Sequence, residues 1–488
     1  MANASAYDAV LYPARPFIQT HPDRLATLAT LFGLTPRPPA ACRVLELGCG
    51  AGGNLLPMAV GLPASTFVGI DTAQRSIERA GAVAERLGLA NIAFEQIAIE
   101  DYEPPAEGFD YVIAHGVYSW VPQSVRERLL ALSAAVLSPH GVAYVSYNAL
   151  PGGHRRQALR EMLRYHVAGI DEPEQQMVAA RGFLRLLSAA AEADPQLAGQ
   201  LGPEARALAE HVDGLFFHDT LAHSNQPLYF HEFVAQAAAH GLQYLSEAEF
   251  SEMQLGALPA ELQQALGKIA DPVRREQYLD FLKERMFRQT LLVRADAAIE
   301  RVPRPERLAP LAVSGALRWS ADAETGRTTF SGPGGAHLQT DHPLVVRTLQ
   351  QLGDAWPAAP WIAQLAAAHE LPAVCDALLR CFAANLVRLH VHPPAVATVP
   401  PQRPRVSALA RLEAAQGELL TTVRHTAIRL DDELARRIVT LLDGTRDRAA
   451  LVAELAPSTA LAPDELAAAL ERRLEHLAGA GLLLPAGA

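Results

Sequence analysis

The residues whose types and spacing could support chemistry fall in three short runs. They are ELGCGAGGN from Glu46 to Asn54, HGVYSWVP from His115 to Pro122, and the pair Tyr147-Asn148. The first run is a glycine-rich turn. Glycine carries no Cβ and tolerates positive φ, so a turn of this kind lets backbone N–H groups approach a nucleotide-like cofactor closely. Gly48, Gly50 and Gly53 fit a G-x-G-x-x-G pattern, while Gly48, Gly50 and Gly52 fit G-x-G-x-G. The glycines alone therefore leave the cofactor open between a dinucleotide and another nucleotide-like molecule.

Two carboxylates narrow that choice. Glu46, two residues before Gly48, is a poor neighbour for an anionic pyrophosphate and a good one for the ammonium and sulfonium of S-adenosylmethionine. Asp71 closes the apolar run Thr66-Phe67-Val68-Gly69-Ile70, at the roughly 20-residue distance where an acidic side chain accepts both ribose hydroxyls of either cofactor. S-adenosylmethionine is thus the expected cofactor, held by Glu46, Gly48, Cys49, Gly50, Gly52, Asn54 and Asp71. The second and third runs bring Tyr118, Trp120, Tyr147 and Asn148 to the reacting side of the site, and His115 is placed to contact cofactor or accept a proton.

Positioning these residues requires a sheet. Val44 to Leu47 reads as a buried strand, and Asn54-Leu55-Leu56 opens the helix after the turn. A helix over 73–87, a strand over 91–97, a strand over 109–114, a helix over 125–137 and a strand over 141–146 follow. The last two strands deliver the second and third runs to the carboxyl edge, where open α/β sheets bind ligands. From His154 to about Leu215 the chain reads as an all-helical insertion. Helix 229–240, strand 242–245, helix 278–285 and strand 287–294 then complete the sheet. Five alternating units followed by a hairpin-like strand pair form the Rossmann-like sheet of a class I methyltransferase, and no second nucleotide-binding half is visible. Upstream, Tyr7, Tyr12, Pro13, Pro16 and Phe17 suggest an ordered arm that closes over the cofactor, leading into a helix over 24–32 capped by Thr20 and stopped by Gly33.

Pro303 to Pro310 reads as a linker. Beyond it two segments repeat a pattern of three helices and a short strand, with Leu344 and Leu434, and Leu352 and Leu442, at one constant offset. Each resembles a small winged-helix module, and Val396 to Pro404 separates them. The fold class expected is therefore α/β, with a helical insertion and two mainly helical winged-helix-like domains. Its bounds are 1–153 for cofactor binding, 154–218 for the insertion, 219–300 for completion of the sheet, and 311–395 and 405–488 for the two modules.

Winged helices often bind DNA, but this chain of 488 residues has a net charge of −11 and the candidate helices are poor in lysine. A nucleic-acid partner is not expected. Cys42, Cys49, Cys375 and Cys381 have neither metal-ligand nor disulfide-scaffold spacing and read as packing residues in a reducing compartment. No apolar run is long enough to cross a bilayer, and the first residues lack a basic stretch followed by an apolar one, so a cytoplasmic location and no membrane partner are expected.

The segments THPDRLATLATLFGL, LELGCGAGGNLLPMA, GID, FDYVIAHGVYSWVP and GVAYVSYNALPGG, with Tyr12 ahead of them and SNQPLYFHEF and GLQYLSEAEFSEM beyond, resemble bacterial methyltransferases that carry a methyltransferase regulatory domain. That family includes protein-lysine methyltransferases acting on outer-membrane proteins. The resemblance implies a catalytic sheet domain, a helical dimerisation element, and middle and C-terminal domains around an open cleft. It also implies a homodimer and a protein lysine as acceptor, with a small-molecule methyltransferase, or a cofactor-binding regulatory scaffold without turnover, as the alternative readings. Methyltransferases commonly set an acidic residue against the adenine amine after the third strand. Here Ala98 or Ile99 holds that position, so backbone contacts carry the adenine, with Glu100 and Asp101 as alternatives. A lysine ammonium must lose a proton before attack, at a cost of roughly 4 kcal/mol near neutral pH. An apolar, aromatic pocket of Tyr118, Trp120 and Tyr147 would lower that cost, with Asn148 orienting the amine.

Overall fold

The computed structural model describes residues 12–194, 196, 201–222, 224–256 and 258–487. Tyr7 of the expected arm and Pro195 of the expected helical insertion lie outside the described residues. Helix α1 spans Pro22–Leu31. It starts earlier than expected because Pro22 occupies its first position and His21 Nδ1, not Thr20, accepts from Asp23 N at 3.2 Å. Gly33, with φ +93°, ends it as expected.

Then follow β1 (Arg43–Leu47), α2 (Leu55–Gly61), β2 (Thr66–Asp71), α3 (Gln74–Arg86), β3 (Ile92–Gln96), β4 (Phe109–Ala114), α4 (Gln123–Val136) and β5 (Leu137–Asn148). All six residues of β4 are buried, as a central strand covered on both faces demands. The insertion comprises α5 (Gly153–His166), α6 (Pro173–Ala193), α7 (Leu201–Ala209) and the short α8 (Asp213–Phe216), which share a small apolar core of their own. Helix α9 (Phe230–Ala239), β6 (Leu242–Glu247), α10 (Ala260–Gly267), α11 (Pro272–Lys283) and β7 (Phe287–Arg294) complete the unit. The sheet order is β3-β2-β1-β4-β5-β7-β6, with β7 antiparallel to both of its neighbours. Helix α11 begins six residues before the expected start, because Asp271 caps Val273 N at 2.9 Å and Pro272 fills the first position.

The expected linker at 303–310 is instead packed. Residues Pro305–Leu308 form a single 3-10 turn, Leu308 is fully buried, and Arg307 pairs with Glu300 at 2.7 Å. The middle unit holds β8 (Ala312–Ser314), an antiparallel sheet of β9 (Arg318–Ala321), β10 (Thr328–Ser331) and β11 (His337–Thr340), then α12 (Pro343–Ala355), α13 (Leu371–Ala383) and β12 (Arg388–His390). The second of the three helices expected in this unit is one 3-10 turn, Ile362–Gln364. One apolar cluster runs without a break from α1 and the sheet, through Tyr111 and Tyr144, to Val313, Phe330, Leu352 and Phe382 of the middle unit. The opposite face of the sheet packs on α4 and α9.

The C-terminal unit has a separate core. It comprises α14 (Ala408–Gln416), β13 (Leu419–Thr421), β14 (Ala427–Arg429), α15 (Glu433–Leu441), α16 (Arg448–Leu455) and α17 (Pro463–Gly479). The β13–β14 hairpin was not anticipated, and the strand expected near the C-terminus is reduced to a bridge between Val406 and Leu483. No helix among the described residues is long and apolar enough to cross a membrane.

Candidate active site

The turn after β1 is shaped by what surrounds it. Gly48, Gly50 and Gly52 have φ of +75°, +53° and +74°, values that L side chains rarely adopt. A Cβ at Gly48 would lie 2.5 Å from Val117, and one at Gly52 would lie 2.7 Å from Phe94. A Cβ at Gly50 would meet nothing within 4 Å, so the middle of the turn faces open space. Ile70 O accepts from Gly48 N at 2.8 Å and Cys49 N at 3.0 Å, which ties the turn to β2. The Asp71 carboxylate accepts from Gly50 N at 2.8 Å and Ala73 N at 2.9 Å, fixing it beside the same space.

Glu46 is buried. Its Oε1 accepts from Asn54 Nδ2 at 2.8 Å, while its buried Oε2 has no partner among the described residues. Burial, opposed by the Asn54 hydrogen bond and reinforced by Asp71, raises its pKa to about 8. A buried, unsatisfied carboxylate oxygen carries a desolvation cost that a cation or a water would relieve. Together with the open face at Gly50, it fits the ammonium of S-adenosylmethionine. Asn54 is a hub. Its Nδ2 also donates to Thr20 Oγ1 at 2.9 Å, and its Oδ1 accepts from Phe17 N at 3.0 Å. The same Oδ1 accepts from Nε2 of His425 at 2.9 Å, across 371 residues of chain. His425 lies in the turn between β13 and β14 with φ +56° and is buried, and burial holds its pKa well below 6.5.

His115 follows β4. Its Nδ1 is 2.9 Å from the Tyr144 hydroxyl and 3.3 Å from Ser146 Oγ, and the Phe17 ring lies on its imidazole with centroids 3.8 Å apart. Burial lowers its pKa to about 4, so the ring is neutral at pH 7. Tyr144 also donates to Gln289 Oε1 at 3.2 Å, which ties the His115 pair to β7. Tyr12, partly exposed, sets its ring 5.9 Å from that of His218. Cys49 is buried against Gly69, and its thiol pKa is raised by burial. Ala98 and Ile99 sit in the turn after β3, with Ile99 buried, whereas Glu100 and Asp101 are exposed.

Of the residues expected on the acceptor side, the structure brings Asn148 and Trp120 near the edge and turns two away. Asn148 donates through Nδ2 to Asn225 Oδ1 at 2.8 Å, and its backbone N–H donates to Ser119 Oγ at 2.8 Å. Trp120 is half-buried beneath the Arg160 guanidinium at 5.2 Å. Tyr118 and Tyr147, expected to line a pocket, are instead core residues. Tyr118 donates to Gln236 at 2.6 Å, Tyr147 lies 3.3 Å from Thr290 Oγ1, and both rings pack on Phe233. For Tyr147 the reason is parity. Strand β5 runs two residues beyond the expected Ser146, and successive side chains on a strand point to opposite faces, so Tyr144, Ser146 and Asn148 share one face and Tyr147 the other. Ser119, Tyr144, Ser146, Asn225 and His425 were missed. The alternation of β5 could have found Tyr144 and Ser146, whereas His425 had no local signal.

Three known families match parts of the chain. They are described as "Methyltransferase domain" over residues 39–182, "Predicted methyltransferase regulatory domain" over 213–294, and "PKMT, C-terminal winged helix domain" over 402–468. Uncharacterized protein RP789 of Rickettsia prowazekii is 40% identical over 302 residues, which is 62% of this chain. This chain spans only 55% of that relative's length. Uncharacterized protein RP028 of the same organism is 32% identical over 236 residues, covering 48% of this chain and 94% of its own length. The solved structure of PKMT2 from Rickettsia typhi in complex with AdoHcy superposes with a TM-score of 0.85 at 25% identity. It covers 97% of this chain and 100% of that one.

Proposed function

Because the chain belongs to the class I S-adenosylmethionine-dependent methyltransferases that carry a methyltransferase regulatory domain, we propose that it methylates lysine side chains of a protein substrate. The observation that carries the reading is the site itself, an open glycine turn beside a buried carboxylate oxygen that lacks a partner. It lies in a fold shared end to end with PKMT2.

In this reading Glu46 holds the donor's ammonium, Asp71 accepts its ribose hydroxyls, and the backbone of Gly48, Cys49, Gly50 and Gly52 follows its length. Asn54 keeps Glu46 in place, Ala98 and Ile99 border the adenine, and Tyr12 and His115 close the remaining sides. When bound, the sulfonium supplies the methyl group, and positioning supplies most of the rate. The acceptor amine must arrive neutral. A histidine with a pKa near 4 is a weak proton acceptor, so His115 orients the amine through Nε2 and the proton leaves to water. Asn148, held by Asn225, and Trp120 border the acceptor.

A protein acceptor, rather than nucleic acid, suits a net charge of −11. A cytoplasmic location is supported by four free, buried cysteines. A homodimer through the insertion is supported by the exposure of Tyr165 at 87%, Val178 at 70% and Leu186 at 64%. The division of labour follows the bounds 1–153, 154–218, 219–300, 311–395 and 405–488.

Incubating the protein with methyl-labelled donor and a bacterial lysate, then hydrolysing the macromolecular fraction, tests the substrate class. Label in Nε-methyl-lysine is the expected result. Label confined to small molecules would make the enzyme a small-molecule methyltransferase.

A further inference from the structure

Away from the cofactor turn, a cavity of about 560 Å³ lies where three parts of the chain meet. Its walls are the start of α1 with the outer side of α2, the strand β12, and the C-terminal unit from Arg405 through α14 to the β13–β14 hairpin. Three guanidiniums line it outside any ion pair. Arg388 on β12, Arg405 ahead of α14 and Arg411 on α14 make no ion pair and no side-chain hydrogen bond among the described residues. Arg411 Nε is buried and has no hydrogen-bond partner among the described residues.

The cavity's carboxylates are already engaged. Asp23 accepts from His390 Nδ1 and from His392 N, each at 2.7 Å. Glu249 takes Arg24 at 3.2 Å and attracts Arg388 only from beyond contact distance. Asp443 takes Arg446 at 2.7 Å. Arg388 and Arg411 are half-buried and Arg405 is exposed, so the first two lose hydration that an anion in the cavity would restore. Arg424 on the same wall is lowered to about 10 by burial first and by the charge of Arg388 second.

We propose that this cavity binds a small phosphorylated anion carrying a diphosphate or longer chain. Guanidinium forks pair with phosphate oxygens through two parallel hydrogen bonds, and three of them call for more than one anionic group. A volume of this size suits a small molecule, and walls drawn from three separate parts of the chain suit a compact ligand better than an extended acidic peptide. None of these arginines belongs to the methyl-transfer site described above, and the two sites adjoin through His425, which lines the cavity and bonds Asn54.

The test is calorimetric titration of the full chain with inorganic pyrophosphate, alone and with S-adenosylhomocysteine saturating, followed by adenosine triphosphate as a larger probe. One equivalent is expected to bind under both conditions. Arg388→Gln and Arg411→Gln should each weaken it by about tenfold, and the double variant should abolish it. The melting temperature and S-adenosylhomocysteine affinity of the variants should stay at wild-type values, which separates lost ligand contacts from damaged folding. The proposal is overturned if pyrophosphate gives no heat, if the double variant binds it as well as wild type does, or if a tetraglutamate peptide binds through these arginines and pyrophosphate does not.

Discussion

With one carboxylate oxygen on Asn54 and the other unpartnered, Glu46 is held at a pKa of about 8 by burial. The sign of its effect follows. The ionised form is penalised in the fold, so the penalty is absent below the ordinary carboxylate pKa, grows as pH rises, and is complete above about 8. A cation at Oε2 removes that penalty, so donor affinity should rise between pH 6 and 7.5, below the range where an α-amino group itself loses its proton. Glu46→Gln should flatten that rise and weaken binding by about 1.5–3 kcal/mol, the worth of a hydrogen bond to a charged group. Titrations at three pH values would read both effects. Tyr118 carries the opposite expectation. Its hydroxyl serves Gln236 inside the core, so Tyr118→Phe should cost about 1 kcal/mol of stability and leave turnover intact. Asn148→Ala, at the sheet edge, should lower turnover while donor affinity holds. Thermal melting set beside steady-state kinetics would separate the two.

Among the elements, the β6–β7 pair with α11 rests on a buried ionic cluster. Arg288, fully buried, bonds Glu247 at 2.6 Å, Asp280 at 2.9 Å on two sides, and Glu276 at 3.0 Å, with Phe230 against its guanidinium at 3.8 Å. Removing one partner from such a network strands the others, so Arg288→Met should cost roughly 3–5 kcal/mol, read as a large fall in melting temperature. Strand β7 itself was legible from its alternation over Phe287–Arg294, and β4 from the apolar run Tyr111-Val112-Ile113-Ala114. The central sheet could be read because its strands are apolar and its turns glycine-rich. The β9–β10–β11 sheet could not, because β9 exposes all four of its residues and shows no buried face. Helix α11 carried its start in Asp271-Pro272, a cap followed by proline, and that signal was passed over. Tyr147 was misplaced because ending β5 at Ser146 erased the alternation that decides which face it takes.

At the scale of the molecule, the C-terminal unit reaches the cofactor turn through one side chain. His425 donates to Asn54, and Asn54 donates to Glu46, so the docking of the hairpin and the order of the cofactor site are joined by two hydrogen bonds. His425→Ala should therefore weaken donor binding by about 1 kcal/mol and speed protease cleavage within Val396–Pro404, while a hairpin variant that keeps His425 should not. The rate of protein methylation should climb by about tenfold per pH unit from pH 6 toward 9, as a lysine ammonium ionises. It should show no break near 6.5, because burial holds His115 at about 4. The most direct test of the account is calorimetric titration of wild type and Glu46→Gln with S-adenosylmethionine and, separately, with a nicotinamide dinucleotide. The account predicts one tight S-adenosylmethionine site per chain, weakened at least tenfold or so by the substitution, and no dinucleotide binding. Dinucleotide binding without S-adenosylmethionine binding, or equal affinity in the two proteins, would contradict it.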